Sequence, residues 1–519
     1  ITEERTGGMA ILTVNGNAGD SVRFSDAGWA YQGITTVNGV SYGRYTNGTA
    51  ELRIQSTIDV SRLVIDLTTL APSQGFIIQG DVAWDRAGSS VSAAGDVNGD
   101  GFEDMIVGAP YGSDGGAAAG EAYVIFGSAS GFGTLVGSRR VIDLTTLTPA
   151  QGFIIQGDIN NDKAGVSVAP AGDVNGDGFD DLIVGARYGD DGGTDAGEAY
   201  VVFGSASGFG TLVASRRVID LTTLSASQGF IIQGDTAGDW AGVSVASAGD
   251  INGDGFDDMI VGAERGDDGG IDAGEAYVVF GSSSGFGTVV GSRRVIDLKT
   301  LAGAQGFVIQ GDLAGDRAGT SVASAGDING DGFDDLVIGA RWGDDGGTNA
   351  GEAYVIFGSG SGFGTVDATG RRVIDLTSLT AAQGFIVQGD AAGDYAGRSV
   401  SSAGDINGDG FDDVIVGAFY GDDGGTNAGE AYVVFGSGSG FGSVDGTGRR
   451  VLDLTTLSSS QGFIVQGDTL DDRAGFSVSA AGDVNGDGFD DLIVGAYQGD
   501  DGGMDAGEGY VIFGGAFGK

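Results

Sequence analysis

Short apolar runs of four or five residues recur along the chain, separated by clusters of glycine and aspartate. In one stretch they are Phe153–Gln156, Val166–Ala169, Leu182–Gly185 and Ala199–Phe203. They are rich in Val, Ile, Phe and Tyr and are bounded by Gly-Asp or Gly-Gly turns, which predicts four short strands. Glycine interrupts any longer 3.6-residue period, so helix is limited to a single turn within Leu144–Gln151. Val141–Leu144 offers a fifth strand.

The runs belong to a repeat. The string Asp-(Val/Ile)-Asn-Gly-Asp-Gly-Phe-(Asp/Glu)-Asp begins at Asp96, Asp173, Asp250, Asp327, Asp405 and Asp483, in steps of 77, 77, 77, 78 and 78 residues. Six units run from about Arg62 to the C-terminus, and residues 1–60 stand outside them. A four-stranded unit cannot cover both its faces alone, but radial copies bury those faces against each other. The expected fold is therefore all-β, a β-propeller of six four-stranded blades over residues 61–519, with a small β module at 1–60. A linear solenoid is the competing arrangement. For six blades, the strand at Gly75–Gly80 would complete the last blade. The alternative is seven blades: Met9–Val14, Ser21–Phe24, Ile34–Tyr42 and Ala50–Gln55 are strand-like and would form the extra one, with Met9–Val14 closing the ring.

Composition narrows the chemistry. Cysteine and histidine are absent, so disulfides, thiolate nucleophiles, zinc fingers and Ser-His-Asp triads are excluded. Asp plus Glu number 72 against 25 Lys plus Arg, a net charge of −47, which argues against nucleic acid and anionic membranes. No apolar run is long enough to insert into a membrane. The start at Ile1 suggests a mature fragment or a slice of a longer protein.

The repeated string has the ligand logic of a calcium loop. Positions 1, 3, 5 and 9 offer side-chain oxygens, position 7 offers its carbonyl, and glycine at position 6 permits the bend. The candidate ligands are Asp96, Asn98, Asp100, Phe102 and Asp104 in the first loop, and Asp173, Asn175, Asp177, Phe179 and Asp181 in the second. The third has Asp250, Asn252, Asp254, Phe256 and Asp258, and the fourth Asp327, Asn329, Asp331, Phe333 and Asp335. The fifth has Asp405, Asn407, Asp409, Phe411 and Asp413, and the sixth Asp483, Asn485, Asp487, Phe489 and Asp491. Hard oxygen donors suit Ca²⁺, and three carboxylates in one tight loop repel one another without a cation. Six calcium ions or more are expected, in a structural role.

The stretch AGVSVAPAGDVNGDGFDDLIVGAR resembles the FG-GAP repeat, the unit of the integrin α-subunit propeller. That repeat also occurs in bacterial extracellular proteins and a fungal propeller lectin. The resemblance covers about residues 62–515. It implies calcium in the loops, a non-enzymatic propeller that usually has seven blades, and an extracellular or bacterial-surface location. The present units are longer than those common in integrins. The segment ILTVNGNAGDSVRFSDAGW resembles short β-modules of secreted bacterial proteins of the RTX and adhesin type.

Other repeated features are weaker. The loop Gly189–Gly193 with Glu198 is a candidate second calcium site, and the pairs Asp158/Asp162 and Asp235/Asp239 are turn caps or extra ligands. The arginine pairs, such as Arg216-Arg217 and Arg371-Arg372, are expected on the surface against acidic loops. Two positions vary between units: Tyr111, Tyr188, Arg265, Trp342, Tyr420 and Gln498, and, before Ala-Gly, Trp84, Lys163, Trp240, Arg317, Tyr395 and Arg473. With the acids confined to repeated loops, no unique acid/base pair points to an enzyme. Two functions fit: an extracellular recognition module for a glycan or protein ligand, or a self-assembling unit of a surface layer, filament or matrix. A recognition site would gather the variable aromatics on one face.

Overall fold

The computed structural model describes residues 70–517, apart from 361 and 501–504, and the backbone of five strands between residues 2 and 55. Chain contacts divide it into two units, Ile1–Phe76 with Leu135–Arg140, and Ile77–Thr134 with Val141–Lys519.

In the larger unit the repeat folds as the apolar runs predict. The second blade carries antiparallel strands Ser167–Gly172, Asp181–Ala186, Glu198–Val202 and Gly229–Gln233. Arg293–Asp297 then adds in parallel, with Val295 opposite Ile231. The fourth and fifth strands thus come from the next two repeats. The predicted helical turn is a 3₁₀ turn, Leu144–Thr146, capped by the Asp143 carboxylate, which accepts from the Thr145 N–H. The second blade's middle strands, Asp181–Ala186 and Glu198–Val202, are buried along their whole length, because this sheet is sandwiched on both faces. Aromatic stacks recur along the chain, as in Phe153 on Phe209 at 4.0 Å and Phe230 on Phe286 at 4.1 Å.

Successive blades meet through a fixed set of contacts. The Val245 N–H donates to Ser167 Oγ of the preceding blade, and the Asp173 N–H donates to Asp257 of the following one. Gly176 sits at φ +74°, and a Cβ there would lie 2.4 Å from the Phe256 ring of the next blade, so glycine serves both the turn and the contact. At the first blade, Val91 is 65% exposed, whereas its counterpart Val168 is 5% exposed.

The smaller unit holds one five-stranded sheet, in the order Thr2–Thr6, Met9–Val14, Ala50–Gln55, Val40–Asn47, Ala30–Val37. Counted with the six sheets that carry the strands on either side of the repeated loop, it is a seventh, so the number is that of the seven-bladed alternative and the expectation of six is corrected. The reason is local: these N-terminal strands pair with one another, Met9–Val14 lying between Thr2–Thr6 and Ala50–Gln55. The run read as one strand, Ile34–Tyr42, is a hairpin broken between Val37 and Val40, and Ser21–Phe24 lies outside the described residues. Ile77–Gln79 pairs in parallel with Val141–Asp143. The sheet of Ala474–Gly482, Asp491–Ala496 and Glu508–Ile512 has three strands among the described residues.

Candidate functional site

Three constellations recur in the blades: the Asp-Asn-Asp loop, a buried acid cluster, and a band of variable side chains. The first and last lie at opposite ends of one strand, since the loop leads into Asp181–Ala186 and the variable residues follow it.

In the second loop, Asp173 accepts from the N–H groups of Gly176, Asp177 and Gly178 at 2.8, 3.0 and 2.9 Å. Asp177 accepts from Phe179 N–H at 3.1 Å. Asp181 is fully buried and accepts from Gly204 N–H at 2.8 Å and from Asn175 Nδ2 at 3.2 Å. The fold thus brings positions 3 and 9 into contact and turns the carboxylates of positions 1 and 5 onto the loop's own N–H groups, and the other loops repeat the pattern. Burial pushes the Asp181 carboxyl up to about 8, with the charges of Asp177 and Asp173 adding to the rise. Asn407 Oδ1, at position 3 of the fifth loop, is buried with no hydrogen-bond partner. A surplus of close carboxylate charge and an orphaned amide oxygen both fit an oxygen-coordinated cation. Phe179 turns its ring onto Gly99 of the preceding blade. Sequence reasoning missed position 8: Asp180 and its counterparts accept the inter-blade bond from Asp96 N–H. The signal was present in the repeated Asp-Asp doublet, which becomes Glu103-Asp104 in the first unit.

Features read separately in the sequence converge in the acid cluster. In the third blade Asp235, Asp239 and Glu275 are buried, with carboxylate oxygens within 4.8 Å of one another. Glu275 accepts from the Tyr277 hydroxyl and from Asp268 N–H. Asp235 Oδ1 is buried without a partner. The cluster recurs as Asp81/Asp85/Glu121, Asp158/Asp191/Glu198, Asp312/Asp345/Glu352 and Asp390/Asp423/Glu430. Burial, with the charge of Asp235, pushes Glu275 up to about 8. Each cluster offers the donors for a metal ion. Arg371 also serves the third: it donates to Asp235 at 3.1 Å, to Asp268, and to Asp367 at 3.2 Å. Its side chain is only 7% exposed, so the expectation of a surface pair is corrected for this residue. The second arginine of the pair, Arg372, donates to the Phe363 carbonyl instead.

The variable positions also come together. Tyr188 meets Trp240 edge-on at 5.2 Å, and Trp342 meets Tyr395 at 5.0 Å. Arg265 lies 3.7 Å over Trp240, and Lys163 lies 3.9 Å over Tyr111. Phe419 and Phe476 are in contact, as are Phe476 and Tyr497. Two further variable positions belong to the band and were missed: the residue after Gly-Ala (Arg187, Glu264, Arg341, Phe419, Tyr497) and the residue after Ala-Gly (Thr320, Arg398, Phe476). One assignment is corrected. The first-blade counterpart of Lys163 is Arg86, which lies over Tyr111, and Trp84, two residues earlier, stands 88% exposed. The position before Ala-Gly is left-handed in all six repeats, at φ +59° for Arg86, +64° for Lys163, +63° for Trp240, +60° for Arg317, +58° for Tyr395 and +62° for Arg473. Glycine would adopt this backbone freely, yet a chain with 105 glycines never places one there. Strain kept in this way is characteristic of binding sites.

Comparison with known proteins agrees with this organisation. The family model described as FG-GAP repeat matches residues 87–125, 164–202, 241–279, 318–356, 396–434 and 474–512. The chain is 30% identical to integrin alpha pat-2 of Caenorhabditis elegans over 267 residues, 50% of this chain and 18% of that protein. It is 29% identical to integrin alpha-5 of Xenopus laevis over 258 residues, 49% of this chain and 20% of that protein. It is 33% identical to phosphatidylinositol-glycan-specific phospholipase D of Bos taurus over 201 residues, 38% of this chain and 21% of that protein. The chain therefore spans about a fifth of the length of these relatives. Among the described residues no helix is long and apolar enough to cross a membrane.

Proposed function

Because this chain is an integrin-like FG-GAP β-propeller, we propose that it works outside the cell as a calcium-binding, non-enzymatic recognition module for a glycan or protein ligand. The observation that carries the reading is the variable band. Side chains of neighbouring repeats, such as Tyr188 with Trp240 and Trp342 with Tyr395, meet in one stretch of aromatic and cationic surface, while the framework around them repeats. A self-assembly unit has no need to vary that surface alone and to hold it on a strained backbone. The acids gather in the same way from blade to blade, so none forms a distinct acid/base pair, and the likeness to the phospholipase D concerns 21% of that enzyme.

Calcium would be held in each loop by the side chains of positions 1, 3, 5 and 9 and the carbonyl of position 7, as Asp173, Asn175, Asp177, Asp181 and Phe179 in the second. The ion would neutralise three carboxylates and fix the turn between two strands. The acid clusters are further candidate sites. If calcium binds only the folded chain, each site adds about 2.7 kcal/mol where free calcium is 100-fold above Kd.

The test is a glycan and cell-surface protein array probed with the chain at millimolar calcium and in EDTA. Trp240→Ala and Trp342→Ala should lose binding while the melting temperature shifts by only a few degrees. Filaments or sheets appearing on calcium addition, with no binding on the array, would favour the assembly reading. An unchanged melt in excess EDTA would refute the calcium assignment.

A further inference from the structure

The inference rests on the recognition reading and names the chemistry of its ligand. Acids outnumber bases 72 to 25 in this chain, so a cation placed without constraint has carboxylates for neighbours. Arg216, Arg293, Arg371 and Arg449 all bind two or more of them. Arg341 of the band likewise pairs with Glu264 at 3.1 Å, but five other cations there behave differently. Arg86, Lys163, Arg187, Arg265 and Arg317 lie over aromatic rings. None of the five has a carboxylate partner among the described residues. They crowd one another instead: burial and the charges of Arg187 and Arg86 push the Lys163 ammonium down.

The same surface holds polar atoms with nothing to bond. Nε of Arg187, Arg265 and Arg473 and Nε1 of Trp342 are buried without a partner. Gln498 Oε1 is an orphaned acceptor in the band, but these four are donors that call for an acceptor, and beside guanidinium groups the strongest acceptor is an anion. Between the cations stand the faces of Tyr188, Trp240, Trp342 and Tyr395, which offer apolar contact to a ring.

We propose that the band binds a short oligosaccharide bearing a carboxylate, with the acid group on the guanidiniums and the apolar faces of the sugar on the aromatic rings. Sugar hydroxyls rotate and accept wherever the band donates. A peptide would bring a fixed N–H at nearly every residue to a surface where orphaned donors outnumber orphaned acceptors. Length is limited by the surroundings. Beyond the band the surface is acidic, and a long polyanion such as a nucleic acid would be repelled there.

The experiment uses the full chain at millimolar calcium and titrates it with sialylated and uronate-terminated oligosaccharides. The same sugars with the carboxyl reduced, and a hexaglutamate peptide, are run beside them. The expected result is binding to acidic sugars that weakens about tenfold or more on carboxyl reduction, and similarly in Arg265→Gln and Arg187→Gln. Arg450→Gln, outside the band, should leave it unchanged. Equal binding of the reduced sugars would overturn the anionic inference and leave the recognition reading standing. Binding of hexaglutamate in preference to every sugar would overturn the choice of glycan. Failure to bind any sugar or protein would remove the recognition reading itself.

Discussion

Replacing Arg371 by methionine tests how the acid clusters are held. The guanidinium makes three ion pairs of unequal weight. Asp235 is 4% exposed, and its other oxygen has no partner, so this arginine is its compensating charge. Asp268 and Asp367 are much more open to solvent. Methionine keeps most of the aliphatic volume but strands Asp235 beside Asp239 and Glu275. Removing one partner of a buried pair costs about 3–5 kcal/mol, and each exposed contact adds at most about 1 kcal/mol. A loss of about 4 kcal/mol is therefore expected at pH 8 in EDTA. Arg371→Met with Asp235→Asn should recover at least half of it, because the stranded charge is gone. Lowering the pH should shrink the loss, since stranded carboxylates take up protons in the folded state. Calcium should shrink it as well if a cation takes the place of the guanidinium. The assay is urea unfolding by tryptophan fluorescence, paired with hydrogen exchange of the third blade, because a repeat array can open one blade at a time. A cost below 1 kcal/mol at pH 8, or no recovery in the double variant, would refute the reasoning.

Three further outcomes are expected. Gly262→Ala should destabilise by about 3 kcal/mol, read in the same urea assay, since its Cβ would lie 2.1 Å from the Gly319 carbonyl oxygen of the next blade. Gly255→Ala, with nothing within 4 Å and φ +89°, should cost about 1 kcal/mol. In EDTA the melting temperature should fall between pH 5 and pH 8. Burial raises Asp258, Asp335, Glu275 and Glu352 to about 8, so the stability they contribute is complete below the unfolded value near 4 and is lost as pH rises through 8. Calorimetry in calcium should show a much flatter profile. Arg317→Gly should leave the melt unchanged or raise it slightly, because φ is +60° there, while it weakens ligand binding.

The blades were legible because their four antiparallel strands are short, largely apolar runs and the turns between them recur at the same spacing. The loop residues were legible for the same reason: Asp173, Asn175, Asp177 and Asp181 fall at fixed positions in one short segment. What stayed hidden depends on pairing across repeats. Arg371 and Asp235 lie 136 positions apart and meet only because the blade borrows its fifth strand from two repeats onward. A single sequence therefore shows an exposed-looking Arg-Arg pair where the fold makes a buried bridge. The variable band was half visible. Its members are conspicuous by changing, but two of the four positions pass unnoticed until Arg187 and Arg398 are seen beside the rings. A two-residue slip in register also exchanged Trp84 for Arg86. The N-terminal module was legible only as the alternative, with Met9–Val14 and Ala50–Gln55 read as strands, because its strands answer to one another rather than to the repeat.

The contacts that join one blade to the next are the same at each step, from Ser167 with Val245 to Ser399 with Val478. They sit on the framework, while the band lies beyond the far end of the strand that the loop begins. A repeat copied or lost by unequal recombination would bring its own joints and fit its new neighbours without redesign. The surface it presents would then be free to diverge under selection for a different ligand. Inheritance can thus treat the blade as a cartridge, with durability on one side and novelty on the other.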